Sequence, residues 1–88
     1  MIQDTFTIKN KFGLHARPAA LFVEMASKYD ADVKIGKDGL DVNGKSIMGV
    51  LMLAAEMGSE ITLSVDGNDE KEAFQALFGL LEGKFNEE

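Results

Sequence analysis

Ile2, Phe6 and Ile8 fall on one side of a period-two pattern, with Gln3, Thr5 and Thr7 on the other. This alternation predicts a half-buried first strand. Gly13 breaks it, and from Ala16 to about Tyr29 the period lengthens. Ala19, Phe22, Val23 and Ala26 are spaced i, i+3, i+4, i+7, the core stripe of a helix. Pro18 lies inside this stretch and has no N–H, which a helix tolerates only in its first turn. The helix must therefore begin close to residue 15.

Val33 and Ile35 mark a second strand, and Leu40 and Val42 a third. Asp38-Gly39 between them is a two-residue hairpin signal, because both residues tolerate positive φ. Asn43-Gly44 turns the chain again. Ser46 is a natural N-cap for a short helix with Ile47, Val50, Leu51 and Ala54 on its inner face, and Gly58-Ser59 closes that segment. Ile61, Leu63 and Val65 alternate as a fourth strand. After the Asp66-Gly67-Asn68 turn, Asn68 is placed to cap a last helix whose early acids (Asp69, Glu70, Glu72) suit its dipole. Ala73, Phe74, Leu77 and Leu81 form the stripe of that helix, and Gly83 lies near its end. The order β-α-β-β-α-β-α predicts a single domain over residues 1–88. It is a two-layer α/β open-faced sandwich: a four-stranded antiparallel sheet with three helices on one face.

Composition narrows what this fold can do. Fifteen acids against nine bases leave a formal charge of −6, which argues against a nucleic acid as partner. No cysteine is present, so disulfides, thiolate nucleophiles and cysteine-based zinc sites are excluded. The lone histidine, His15, cannot build a multi-histidine metal site, and neither a metal nor a cofactor is expected. Met1 leads into the alternating strand with no signal pattern. The apolar run Val50–Ala55 is far short of the roughly 20 residues a membrane span needs. A cytoplasmic protein with no membrane partner is the expectation, its acidic Glu87–Glu88 end frayed.

Chemistry concentrates in Gly13-Leu14-His15-Ala16-Arg17-Pro18-Ala19. With the helix starting near residue 15, the N–H groups of Ala16 and Arg17 point outward beside the imidazole, at the positive end of the dipole. That end favours an added anion by about 0.3–2 kcal/mol. Arg17 supplies a cation whose fork matches a phosphate, and one unit of charge pairing at ~4 Å and effective dielectric ~20 is worth about 4 kcal/mol before desolvation. The arrangement describes an imidazole that accepts a phosphoryl group and gives it up again. A histidine that merely caps a helix, followed by a surface arginine, is the plainer alternative.

The seven-residue segment resembles the active-site signature of the histidine-containing phosphocarrier family, HPr, of the bacterial phosphoenolpyruvate-dependent phosphotransferase system. The resemblance extends over the chain through its element order, its length and the segment Lys45-Ser46-Ile47-Met48-Gly49-Val50. It implies that His15 receives phosphate on Nδ1 from enzyme I and passes it to an enzyme IIA. Ala16, Arg17 and Pro18 then surround the phosphoryl group, with Pro18 shaping the helix start. It further implies that Ser46 is a regulatory site for an ATP-dependent HPr kinase/phosphorylase. From its residue type alone, capping is the better reading of Ser46.

Ala20, Leu21 and Met25 lie off the stripe of the first helix, and Ile47, Met48 and Met52 cluster near the second. They are the expected docking patch around His15, with Arg17 and Lys45 at its rim, since methionine repacks against different partners. Departures from the family pattern concern the branch. Glu24 and Ser27 stand where enteric sugar-branch carriers often place lysines. That acid, the net charge and the Phe-Asn-Glu-Glu ending resemble the nitrogen-branch carrier NPr, whereas the Ser46 segment resembles sugar-branch HPr. Ala20 replaces a threonine of many Gram-positive relatives, with no evident chemical consequence. A carrier of this kind is expected to be a monomer and a phosphotransfer intermediate, not an enzyme. The competing class is a regulatory or nitrogen-branch interaction module acting by protein binding alone, against which His15 and Arg17 both speak.

Overall fold

The computed structural model describes residues 1–83. Its elements follow the expected order: β1 (Ile2–Thr7), α1 (Ala16–Ala26), β2 (Asp32–Lys37), β3 (Leu40–Asn43), α2 (Ile47–Met52), β4 (Glu60–Asp66) and α3 (Glu70–Glu82). The Phe85-Asn86-Glu87-Glu88 ending lies outside the described residues. The strands form one sheet in the order β1-β4-β2-β3, each neighbouring pair antiparallel. No helix among the described residues is long and apolar enough to cross a membrane.

The core follows from strand parity. Ile61, Leu63 and Val65 of β4 are fully buried, and the register sets Phe6 opposite Ile61 and Ile35 opposite Leu63. Ala19, Phe22 and Ala26 of α1 and Ala73, Leu77 and Leu81 of α3 pack onto that inward row. Each large side chain so buried contributes about 1.5–3 kcal/mol. Gln3, Thr5 and Lys34 occupy the opposite parity and are exposed, which leaves the far face of the sheet to water. In the β2–β3 hairpin, Asp38 (φ 52°) and Gly39 (φ 85°) both take the left-handed region, the two-residue turn their identities predict.

The structure corrects three helix boundaries or faces. Helix α1 ends at Ala26, not near Tyr29. Lys28 and Tyr29 donate to Met25 and Ala26 in tightened i→i−3 bonds as the chain turns toward β2. At the start of α3 the N-cap is Asp69, not Asn68, which stays in the turn. Asp69 makes no capping bond because its carboxylate accepts the N–H groups of Asp30 and Ala31, both at 2.8 Å, tying α3 to the entrance of β2. The Asp30 N–H is the main cause holding that carboxyl below its ordinary pKa.

Helix α2 departs most. It has six residues, closes well before Gly58, and buries Val50 alone. Of the expected inner face, Ile47 and Leu51 are exposed and Ala54 lies past the helix at φ 50°. Leu53 and Ala55 go inward instead. A stripe deduced for a longer helix cannot hold once the chain leaves helical geometry after its second turn.

Candidate functional site

Residues 10–15 form a fixed turn between β1 and α1. The buried Asn10 donates through Nδ2 to the Gly13 carbonyl at 2.6 Å, and Gly13 N–H returns a bond to the Asn10 carbonyl at 3.1 Å. Leu14 N–H donates to the Ala55 carbonyl at 2.8 Å, while its side chain enters the core. Gly13 is required here: its φ is +68°, and a Cβ would overlap the Ala55 carbonyl oxygen.

This turn delivers His15 to the N-cap of α1 with extended backbone (φ −81°, ψ −168°). Its carbonyl accepts the first helical bond, from Ala19 N–H at 2.9 Å. The N–H groups of Ala16 and Arg17 thus precede the hydrogen-bonded ladder, beside the cap. The imidazole makes no capping bond, so the plainer reading of His15 as a cap loses its basis. The ring is half-buried, with Nε2 closed off from solvent. Phe12 meets it edge-on, with centroids 5.9 Å apart and planes at 85°.

Arg17 is exposed in the first turn, as a residue meeting an incoming anion must be. Pro18 is buried and has no N–H. It can therefore shape the helix start but offers a phosphate no N–H donor.

Ser46 occupies the N-cap of α2, and its Oγ accepts the Gly49 N–H at 3.1 Å. Here the capping expected from sequence is what the side chain does. Lys45 is not at the rim of the His15 site. Its Nζ donates to the Tyr29 carbonyl at 2.7 Å, beyond the opposite end of α1, an 11-residue helix and so about 16 Å long.

The expected docking residues divide. Ala20, Ile47, Met48 (71% exposed) and Met52 (67%) face solvent, whereas Leu21 and Met25 pack partly against the core. Arg17, Ala20, Leu21, Val23, Glu24 and Ile47 line a groove of about 380 Å³ between α1 and α2. This brings Arg17 and α2 together on one surface and puts Glu24 on the same wall. Sequence reasoning missed Phe12, which is 70% exposed beside His15, and the exposed Leu51 of α2. The available signal for Phe12 was an aromatic inside a turn, where neither a strand nor a helix stripe could claim it.

A histidine lifted out of capping at a helix N-terminus, followed by an exposed arginine, defines a candidate phosphoryl-accepting site on a small α/β sandwich. The family model described as "PTS HPr component phosphorylation site" matches residues 2–83. Among curated relatives, the phosphocarrier protein HPr of Cupriavidus necator is 48% identical over 87 residues, 99% of this chain and 98% of that protein. The HPr-like protein Crh of Halalkalibacterium halodurans is 50% identical over 82 residues, 93% of this chain and 98% of that protein. Two crystal structures of HPr from Thermoanaerobacter tengcongensis share 52% identity with the chain. One superposes with a TM-score of 0.97 over 100% of this chain and 99% of the other. The second, described as a dimer, gives 0.78 over 97% and 98%. The chain belongs to the HPr family of phosphocarrier proteins.

Proposed function

We propose that this chain is the phosphocarrier of a phosphoenolpyruvate-dependent phosphotransferase system, with His15 as the residue that carries the phosphate. The Nδ1 lone pair attacks the phosphorus presented by phosphorylated enzyme I. An N–P bond forms and the donor's bond to phosphorus breaks with its electron pair; the attacking Nδ1 carries no proton, and the ring proton stays on Nε2. The reverse attack by an acceptor on an enzyme IIA returns the imidazole. Nothing is consumed beyond the phosphoryl group, so the chain is an intermediate and not a turnover catalyst, acting in the cytoplasm as a monomer.

The observation that carries this reading is the state of His15 at the start of α1. Its side chain does not cap the helix and its Nε2 is closed off from solvent, which directs reaction to Nδ1. The N–H groups of Ala16 and Arg17 and the Arg17 guanidinium supply the partial and full positive charge that a bound phosphoryl dianion requires. The exposed surface of Ala20, Ile47, Met48 and Met52 serves both donor and acceptor, with Leu21 and Met25 as its floor.

The test is incubation with phosphoenolpyruvate and enzyme I of either branch, followed by intact-mass measurement. One added phosphate, labile in acid and absent from His15→Ala, is expected; no adduct with either enzyme I contradicts the reading. A second role at Ser46 is favoured by its place at the N-terminus of α2 beside exposed Met48 and Met52. Phosphate there meets the helix dipole locally and adds negative charge to the docking surface. Incubation with ATP and an HPr kinase tests it separately, and failure to modify Ser46 removes this role without touching His15.

A further inference from the structure

Phe12 is an exposed large apolar residue beside His15, and its exposure is not explained by folding. At 70% exposed it adds little to the core. Nor is it loosely held, because the turn that carries it is closed by both Asn10–Gly13 hydrogen bonds and anchored by Leu14 on Ala55. Lys11 Nζ lies 5.4 Å from the centre of its ring, a cation–π contact that braces it. The ring meets the imidazole at 5.9 Å and 85°, an edge-to-face geometry that aromatic pairs favour.

The backbone at an N-cap does not decide which imidazole nitrogen faces out. The χ2 torsion of histidine is broad and two-fold, and a half-turn exchanges Nδ1 with Cδ2. The contacts around the ring make that choice, and the Phe12 ring is one of them. We propose that Phe12 is a positioning residue for His15: its ring selects the imidazole orientation in which Nδ1 is presented for phosphoryl transfer. The inference rests on the carrier reading of His15 and specifies how the turn before α1 serves it. Phe12 touches neither phosphorus nor donor in this role.

The test uses the whole chain with Phe12→Ala and Phe12→Tyr, both expected to fold because the position is exposed. Nuclear Overhauser contacts of the His15 ring protons are read without any phosphate. The wild type and Phe12→Tyr show one ring orientation, and Phe12→Ala shows contacts from two. With phosphoenolpyruvate and enzyme I, the maximal rate of phosphorylation of Phe12→Ala falls about three- to tenfold while the KM for the carrier holds. Phe12→Tyr restores the rate. A single ring orientation in Phe12→Ala overturns the proposal. So does an effect confined to KM, which would make Phe12 a docking anchor. Absence of phosphate on the wild type would instead overturn the carrier reading, and the ring contacts would still decide the role of Phe12.

Discussion

The starts of α1 and α2 carry the two residues with a claim to phosphate, and the fold treats them in opposite ways. At α2, Ser46 turns its hydroxyl back onto Gly49 N–H and holds the helix together. At α1, His15 supplies only its carbonyl to the helix and keeps its side chain out of the cap. The cost of an uncapped start is offset by the turn before it, where Asn10, Gly13 and Leu14 fix the backbone. One helix start is thus closed by a side-chain cap, and the other is held by its backbone and the turn before it.

Substitution at Gly13 tests the support for the α1 start most severely. Gly13→Ala places a Cβ on the Ala55 carbonyl at a left-handed φ, so a loss of about 3 kcal/mol or more is expected in denaturant unfolding. A loss below 1 kcal/mol, as at an ordinary surface position, would show that the turn is not the anchor. Arg17→Ala should separate chemistry from folding. Being exposed, it changes stability by no more than about 0.5 kcal/mol. It slows phosphorylation by enzyme I about ten- to hundredfold, the value of a charge-assisted bond.

At α2 the expected balance is reversed. Ser46→Ala costs about 0.5–2 kcal/mol of stability through the lost cap, with phosphate acceptance by His15 nearly unchanged. Ser46→Asp keeps a capping oxygen and the stability, yet lowers the rate with enzyme I by adding charge to the docking surface. An unchanged rate for Ser46→Asp would remove Ser46 from the regulatory account. The start of α3 is a third case, in which acids do structural work. Asp69 is held below its ordinary pKa chiefly by the Asp30 N–H, and Glu70 chiefly by the Gly67 N–H. Lowered folded-state values mean their stabilisation is complete above about pH 4.5 and declines as pH falls through the lowered pKa values. A pH series of thermal midpoints should therefore fall below that point, by less in Asp69→Asn than in the wild type.

Much of this contrast was legible in the residues. Strand parity located Ile61, Leu63 and Val65, and Pro18 alone put the start of α1 next to His15, because a missing N–H admits only one helical turn. The cap at Ser46 followed from residue type. What stayed hidden depends on tertiary partners. Asn68 and Asp69 are both good caps, and only the nearby N–H groups of Asp30 and Ala31 decide what Asp69 does. The inner face of α2 was misread because nothing in a run of small and apolar residues shows that the helix stops at Met52. Lys45 was assigned to the His15 rim by charge, whereas the turn at Asn43-Gly44 aims it at Tyr29. Phe12 escaped because periodicity finds core residues, and its ring serves a neighbour instead.

The most direct test of the central claim is phosphorus–nitrogen coupling by NMR in 15N-labelled protein phosphorylated by enzyme I. A one-bond coupling to Nδ1 of His15 is the predicted result. Coupling to Nε2, or a phosphate carried on an oxygen instead, would contradict the account.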